Sequence, residues 1–222
     1  MKPVNLEAFR KNINEIGGCN VEEAYAAGWN AAIEAVKSVL DDMIYKPHSS
    51  YEVGDQIEVY LNGYGVFTAT VQKVTNKYAV FMFDKCVYRR PMDDLSPLAC
   101  RYEESSLWLW INNALRPAFP KKLKQRLIDI SIPTYGQIFG HDEELYAAVF
   151  EPDDDEQFKL MKKKKNRIAC YKDDAEWFWL QNATNKALSA KSVFALVSCH
   201  GHPGCASATT PLGVRPVFTL SI

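Results

Sequence analysis

Trp177-Phe178-Trp179-Leu180-Gln181-Asn182-Ala183 and, further on, Gly213-Val214-Arg215-Pro216-Val217-Phe218 are the two stretches that decide the architecture of this chain. Large apolar residues in an unbroken run without a turn residue read as a strand over 177–180. Side chains alternate across a strand, so Trp177 and Trp179 fall on one face and Phe178 and Leu180 on the other. Core packing is the plain reading of these aromatics; a tryptophan stacked on a sugar or peptide is the sharper one. The segment 214–220 reads as a second strand, and 192–198 as a third. Arg215 then sits in a half-buried strand, has a structural role, and needs a carboxylate partner if buried. Pro216 beside it marks a strand edge or end. The expected arrangement makes the tryptophan strand and the closing strand neighbours in one sheet, with the hairpins between them displayed outward.

Working outward, three extended runs precede these: Gln56 to Leu61, Gly65 to Val74 and Lys77 to Asp84. Asn62-Gly63 and Thr75-Asn76-Lys77 separate them. Asn-Gly between extended runs signals a hairpin because both residues tolerate positive φ, so an antiparallel meander is expected. Ser105 is placed to cap a helix carrying Leu107, Trp108, Trp110, Ile111 and Leu115 that stops at Arg116-Pro117. Pro120 opens a second helix with Leu123, Leu127 and Ile128 inward and Lys121, Lys122, Lys124 and Arg126 outward. Asp153-Asp154-Asp155-Glu156 followed by Lys162-Lys163-Lys164-Lys165 reads as an exposed loop or flexible excursion. The link 198–213 is expected to be a loop, rich in Gly, Pro and small polar residues.

At the N-terminus, Tyr25, Gly28, Trp29, Ala32, Ile33, Val36, Val39, Leu40 and Met43 recur at helical steps from Val21, with charge on the opposite face. Asn20 is placed as N-cap. A shorter helical piece runs from Leu6 to Ile16. Pro47-His48-Ser49-Ser50 ends this segment, so the expected organisation is a helical segment at 1–46 and an α+β domain at 51–222. The amphipathic helix is a packing face or, alternatively, an element for homo-oligomerisation.

Composition narrows the function classes. The chain has 222 residues, 47% hydrophobic and 24% charged, which is ordinary globular usage. Lys and Arg number 26 against 27 Asp and Glu, a net charge of -1, so no global basic field favours nucleic acid. The chain carries no apolar run long enough to cross a membrane and no secretory signal. Six scattered cysteines then read as reduced thiols in a cytoplasmic (or virion-associated) protein. No Walker loop, dinucleotide fingerprint, nucleophile elbow or His-Glu-x-x-His helix occurs, so no catalytic residue and no cofactor are assigned.

Cys199-His200-Gly201-His202-Pro203-Gly204-Cys205 is the sharpest metal candidate, since thiolate and imidazole are good zinc ligands. A single tight loop would have to wrap the ion alone, and adjacent Cys199 and His200 converge poorly. A ligand-contacting polar loop is the favoured reading, with a metal-dependent enzyme or zinc-stabilised protein as the alternative.

Ser105-Ser106-Leu107-Trp108-Leu109-Trp110-Ile111-Asn112, Ile132-Pro133-Thr134-Tyr135-Gly136 and the two stretches quoted first resemble, in that order, an uncharacterised bacterial and phage domain family. That family shows a Ser-x-Leu-x-x-Trp-Leu-Asn helix, a Trp-Trp-Leu-Arg-Ser strand and a terminal Gly-Val-Arg-Pro-Ala strand. It is similar in turn to C-type-lectin-like and formylglycine-generating-enzyme-like folds. The resemblance, over 55–222, implies an α+β domain of twisted antiparallel sheets with two flanking helices and an exposed loop face. Gln181-Asn182 stands where the family has Arg-Ser. Oxidase chemistry of the formylglycine type needs a placed cysteine pair, and Cys199 and Cys205 fit that poorly. The resulting expectation is a non-enzymatic binding or structural module, phage or prophage encoded. Its recognition face is the loops at 181–191 and 198–210, with Trp179, Gln181, Asn182, His200 and His202 contacting a protein or carbohydrate ligand.

Overall fold

The computed structural model describes residues 28–32, 51–94, 101–141, 149–184 and 192–222. Its contacts divide the chain into two units, Met1–Lys46 and Pro47–Ile222. In the first unit, residues 28–32 are helical, and Trp29 among them is exposed. The rest of the expected helix over 21–43, the piece at 6–16 and the oligomerisation reading lie outside the described residues. No helix among the described residues is long and apolar enough to cross a membrane.

The second unit mixes helices with two open five-stranded sheets. Strands β1 (Gln56–Leu61), β2 (Gly65–Val74) and β3 (Tyr78–Phe83) form the expected antiparallel meander. Gly63 sits at φ +83° in the first turn, as the Asn-Gly signal requires. The chain continues through β4 (Tyr88–Arg90), β5 (Leu127–Ser131), a small β6 (Ala169–Tyr171) and β7 (Asp174–Glu176) hairpin, and β8 (Phe178–Ala183). It ends on β9 (Val193–Val197), β10 (Pro203–Ser207), β11 (Leu212–Val214) and β12 (Val217–Ser221). One sheet has the order β1-β2-β3-β12-β5 and the other β10-β9-β8-β11-β4. Among the described residues all strand pairings are antiparallel except β8 with β11.

The last strand expected from the sequence is two strands. Leu212–Val214 lies beside the tryptophan strand, with Gly213 opposite Phe178, whereas Val217–Ser221 lies between β3 and β5 in the other sheet. Arg215-Pro216 is the crossing point. Proline lacks the N–H that a continued ladder needs, so pairing stops there and the chain changes sheets. The tryptophan strand and the first half of the closing segment are therefore neighbours, and the second half belongs elsewhere.

That crossing explains the core. β3 and β12 are covered on both faces, which is why Tyr78-Ala79-Val80-Phe81-Met82-Phe83 is apolar throughout instead of alternating. Val80, Met82 and Val217 pack with Phe178, Leu180, Ala195 and Val197 of the second sheet. On the opposite face Phe81 stacks on Phe218 at 5.2 Å, and Phe119 meets Phe83 and Phe218 at 6.1 and 5.2 Å.

Several local expectations are corrected. Ser105 does cap the helix, its hydroxyl accepting from Trp108 N at 3.1 Å. Helical structure then runs past Arg116-Pro117 through a π segment, Ile111–Leu115, to Arg116–Ala118. The second helix is one turn, Lys121–Lys124; Leu127 and Ile128 belong to β5, and Ile128 faces outward. β-Branched Ile128, Ile130 and Ile132 at every second position favour a strand once a sheet edge accepts it.

The acidic run is pinned, not a free excursion. Asp153 accepts from Gly136 N at 3.1 Å and from Asn182 Nδ2 at 2.8 Å, and Asp155 accepts from the Thr134 hydroxyl at 2.8 Å. Phe158 and Met161 are buried in the core. The link after Ser198 is a hairpin, with β10 paired to β9.

Candidate functional site

Three turns that are distant in sequence converge on one groove. Tyr64 stands in the β1–β2 turn, where a polar residue is usual. Lys85 to Tyr88 lead into β4, an edge strand. Tyr171, Lys172 and Asp173 form the tip of the β6–β7 hairpin. Together with Phe67 and Thr68 they line a groove of about 600 Å³, with Asp84 at one side. Cys86 N donates to Cys170 O at 2.8 Å, which ties the small hairpin to the start of β4 and fixes the width between the walls.

The ring at the edge of β4 is braced from behind. Tyr88 stacks on Trp110 at 5.4 Å with 29° between the planes, and Tyr64 meets the two rings edge-on at 6.0 and 5.8 Å. Arg90 lies over the Trp110 ring at 5.4 Å and pairs with Asp94 at 3.0 Å. The Asp94 carboxyl is held below the usual carboxylate range, first by hydrogen bonding with Ser106 and then by Arg90. Tyr88 nevertheless remains 42% exposed, so a braced aromatic is presented to solvent. Lys172 takes φ 57° in its turn, a left-handed conformation that lysine adopts at a cost of order ~1 kcal/mol. Its ammonium lies 5.6 Å from the Tyr171 ring. The groove thus places flat apolar rings beside two ammonium groups and two carboxylates.

Cys86 lies under the groove and is almost fully buried. Burial pushes its thiol up to about 12; Arg215 opposes the shift, and Glu176 and Cys170 add to it. Such a thiol is inert as a nucleophile, since the thiolate is the reactive form. Above about pH 9, the group's ordinary value, the unfolded chain loses this proton while the folded chain keeps it. Stability is full below that value and falls by about 1.4 kcal/mol per pH unit up to the folded value. Chemical denaturation at about pH 8 and about pH 10 should show a loss about 1 kcal/mol larger in the native protein than in Cys86→Ala. Equal losses in both would contradict this.

The residues expected from the sequence do not meet in one place. Trp179 is wholly inside the core and its indole N–H donates to Arg90 O at 3.1 Å, so it has no face for a ligand. The exposed member of the pair is Trp177. Gln181 and Asn182 line a shallow pocket of about 310 Å³ with Glu151 and Asp153. Asn182 is spent on structure there: Oδ1 accepts from Tyr135 N at 2.7 Å, and Nδ2 donates to Glu151 O at 3.0 Å as well as to Asp153. Gln181 likewise donates its amide to Ile132 O and its backbone N–H to Pro133 O. His200 and His202 stand at the exposed tip of the β9–β10 hairpin, where His202 Nε2 meets Lys164 Nζ at 2.6 Å.

Cys199, His200, His202 and Cys205 do not converge. Among the described residues no group of three or more His, Cys, Asp or Glu side chains is arranged to hold a metal ion. Cys199 Sγ lies 3.2 Å from Nδ1 of its neighbour His200, while Cys205 is exposed on β10 opposite Ala195. The described cysteines 86, 170, 199 and 205 are all unbridged.

Arg215 lies where the C-terminal segment passes from β11 to β12. It is 4% exposed, and no carboxylate pairs with it among the described residues. Nε donates to Phe83 O at 2.8 Å, Nη1 donates to Asn166 O at 3.1 Å, and the guanidinium lies 5.3 Å from the Phe178 ring. Two carbonyls and an aromatic face replace the carboxylate partner expected for a buried arginine.

The fold and groove together define an α+β domain of two antiparallel sheets bound by a crossing C-terminal segment, with an aromatic-walled groove at one end. Residues 74–222 match the family described as a domain of unknown function, DUF6273, and the chain belongs to that family. The match begins at Val74, so β1 and most of β2 precede it although they pair in the same sheet as β3. No curated protein and no solved structure matches the chain.

Proposed function

We propose that the protein is a non-enzymatic binding module that holds a neutral carbohydrate in the groove between Tyr64, Tyr88 and Tyr171. The observation that carries this reading is the exposed, braced Tyr88 ring beside balanced charges, Lys85 and Lys172 against Asp84 and Asp173. Sugar rings offer C–H faces to aromatic rings and hydroxyls that both donate and accept. A charge-balanced lining gives no preference for a polyanion. The groove volume lies in the range of small-ligand sites, and its walls combine aromatic rings with four charged groups.

The C-type-lectin-like reading of the fold is supported by two largely antiparallel sheets and by the order of the tryptophan and Arg-Pro stretches, whereas a phage or prophage origin rests on the family resemblance alone. In this reading the recognition face is the turns at 63–66, 85–88 and 171–173; of the C-terminal loops expected from the sequence, residues 185–191 lie outside the described residues.

Isothermal titration with a panel of neutral oligosaccharides tests the proposal. Tyr88→Ala is expected to weaken the best binder roughly tenfold or more, because the aromatic face that the sugar's C–H groups pack on is lost with its bracing against Trp110. Undiminished affinity in Tyr88→Ala would overturn the site. Binding of extended peptides but of no oligosaccharide would overturn the ligand class.

A further inference from the structure

A second cavity lies on the other side of Asp84. It has a volume of about 380 Å³, and its lining includes Gln56, Thr70, Gln72, Asp84 and Arg215 on the sheet side and Asn166 among the facing residues. Leu160, Met161 and Ile168 give that facing wall an apolar surface.

Two of its polar side chains are buried beyond nine-tenths and incompletely satisfied. Gln72 is the extra residue of a β-bulge: Val71 pairs with Phe81 and Lys73 with Val80, leaving Gln72 without a register partner. Bulges re-aim a side chain, and this one turns Gln72 inward, to 3% exposure. Its Nε2 donates to Thr70 O at 3.1 Å, which fixes the amide orientation because the opposite flip would face oxygen with oxygen. Gln72 Oε1 is then a buried acceptor with no donor. Such an atom carries an uncompensated desolvation cost and calls for an explanation.

The other side chain is Arg215. Its Nε and Nη1 are used on carbonyls and its Nη2 has no partner among the described residues, so no anion there contacts this buried cation. The opposite charge in the cavity is Asp84, held to Gln56 Nε2 at 3.0 Å and to the Thr70 hydroxyl at 2.6 Å. Cation and carboxylate line one space without forming an ion pair.

From this arrangement we infer a binding site for a small zwitterion of the amino-acid class, its carboxylate on Arg215, its ammonium on Asp84 and Gln72 Oε1, and its aliphatic part against Leu160, Met161 and Ile168. Charge balance selects it. A dianion such as phosphate would meet Arg215 but be repelled by Asp84, and a simple carboxylate would leave Gln72 Oε1 orphaned. The site shares Asp84 with the aromatic groove, but neither Gln72 nor Arg215 lines that groove and Tyr88 does not line this cavity.

Titrations of the full chain with L-leucine, isocaproate (the same skeleton without the ammonium) and inorganic phosphate test the inference. L-leucine is expected to bind saturably and roughly tenfold or more tighter than isocaproate, with phosphate weakest. Gln72→Leu removes the orphan acceptor, so it should fold at least as stably as the native chain yet lose roughly tenfold in L-leucine affinity while isocaproate is unchanged. Asp84→Asn should weaken L-leucine and leave isocaproate equal or tighter. Absence of L-leucine binding, phosphate binding most tightly, or full L-leucine affinity in Gln72→Leu would each overturn the site. Tyr88→Ala is expected to leave L-leucine binding intact, which separates a failure here from a failure of the groove reading.

Discussion

Replacing Arg215 by alanine is expected to lower the free energy of unfolding by about 3–5 kcal/mol. The guanidinium bridges two parts of the fold at the point where the C-terminal segment changes sheets: Phe83 O ends β3, and Asn166 O lies in the helical turn Lys164–Arg167. Alanine leaves both carbonyls without this donor and opens a void beside the Phe178 ring. Arg215→Lys keeps the charge but cannot reach two divergent carbonyls with a planar fork, so it should recover less than half of the loss. Arg215→Met fills volume without charge and should be milder than alanine, because a buried cation without a contacting anion carries its own desolvation cost. Urea denaturation of the three variants measures this series. An alanine variant within about 1 kcal/mol of the native protein would show that the crossing is held by packing alone.

Gly213→Ala is expected to destabilise by about 1–3 kcal/mol, at the opposite end of the same crossing. A methyl group there would stand 2.6 Å from Cys86 Sγ, 2.8 Å from Glu176 Cγ and 2.9 Å from Trp177 O. The sulfur and the Glu176 stem can yield, but Trp177 O is backbone and already accepts from Gly213 N at 2.8 Å. Relief therefore requires β11 to move from β8, which breaks the parallel contact between Gly213 and Phe178. Combining Gly213→Ala with Cys86→Ala should restore part of the stability by freeing the sulfur's volume. A double variant no more stable than Gly213→Ala alone would place the whole clash on the backbone.

What could be read from the sequence divides along physical lines. The meander over 56–84 was legible because Asn62-Gly63 specifies a turn locally and the flanking residues favour strands. Ser105 was legible as a cap for the same reason: its effect spans three residues. β5 was misread as helix because Leu123, Leu127 and Ile128 also fit a helical spacing, and only the partner strand β12 decides between the two. The split at Arg215-Pro216 was signalled by the proline, yet which sheet receives each half depends on long-range pairing.

Asp153 and Asp155 looked like solvated charge, since nothing in sequence shows that Gly136 N, Asn182 and Thr134 lie opposite them. The groove was missed for the same reason, its walls coming from three turns that no spacing connects. One signal was present: Tyr64 in the tight turn Asn62-Gly63-Tyr64-Gly65 is an aromatic where turns are usually polar. A tryptophan-rich strand drew attention to Trp179 instead, and the fold buries it.

The most direct test of the binding-module account is chemical-shift mapping of the full chain with the tightest neutral oligosaccharide. The account predicts that perturbed amides cluster at Tyr64, Lys85, Tyr88, Tyr171 and Lys172, with the β9–β10 hairpin around His200 and His202 unmoved. Perturbation centred on that hairpin, or none anywhere at saturating sugar, would contradict it.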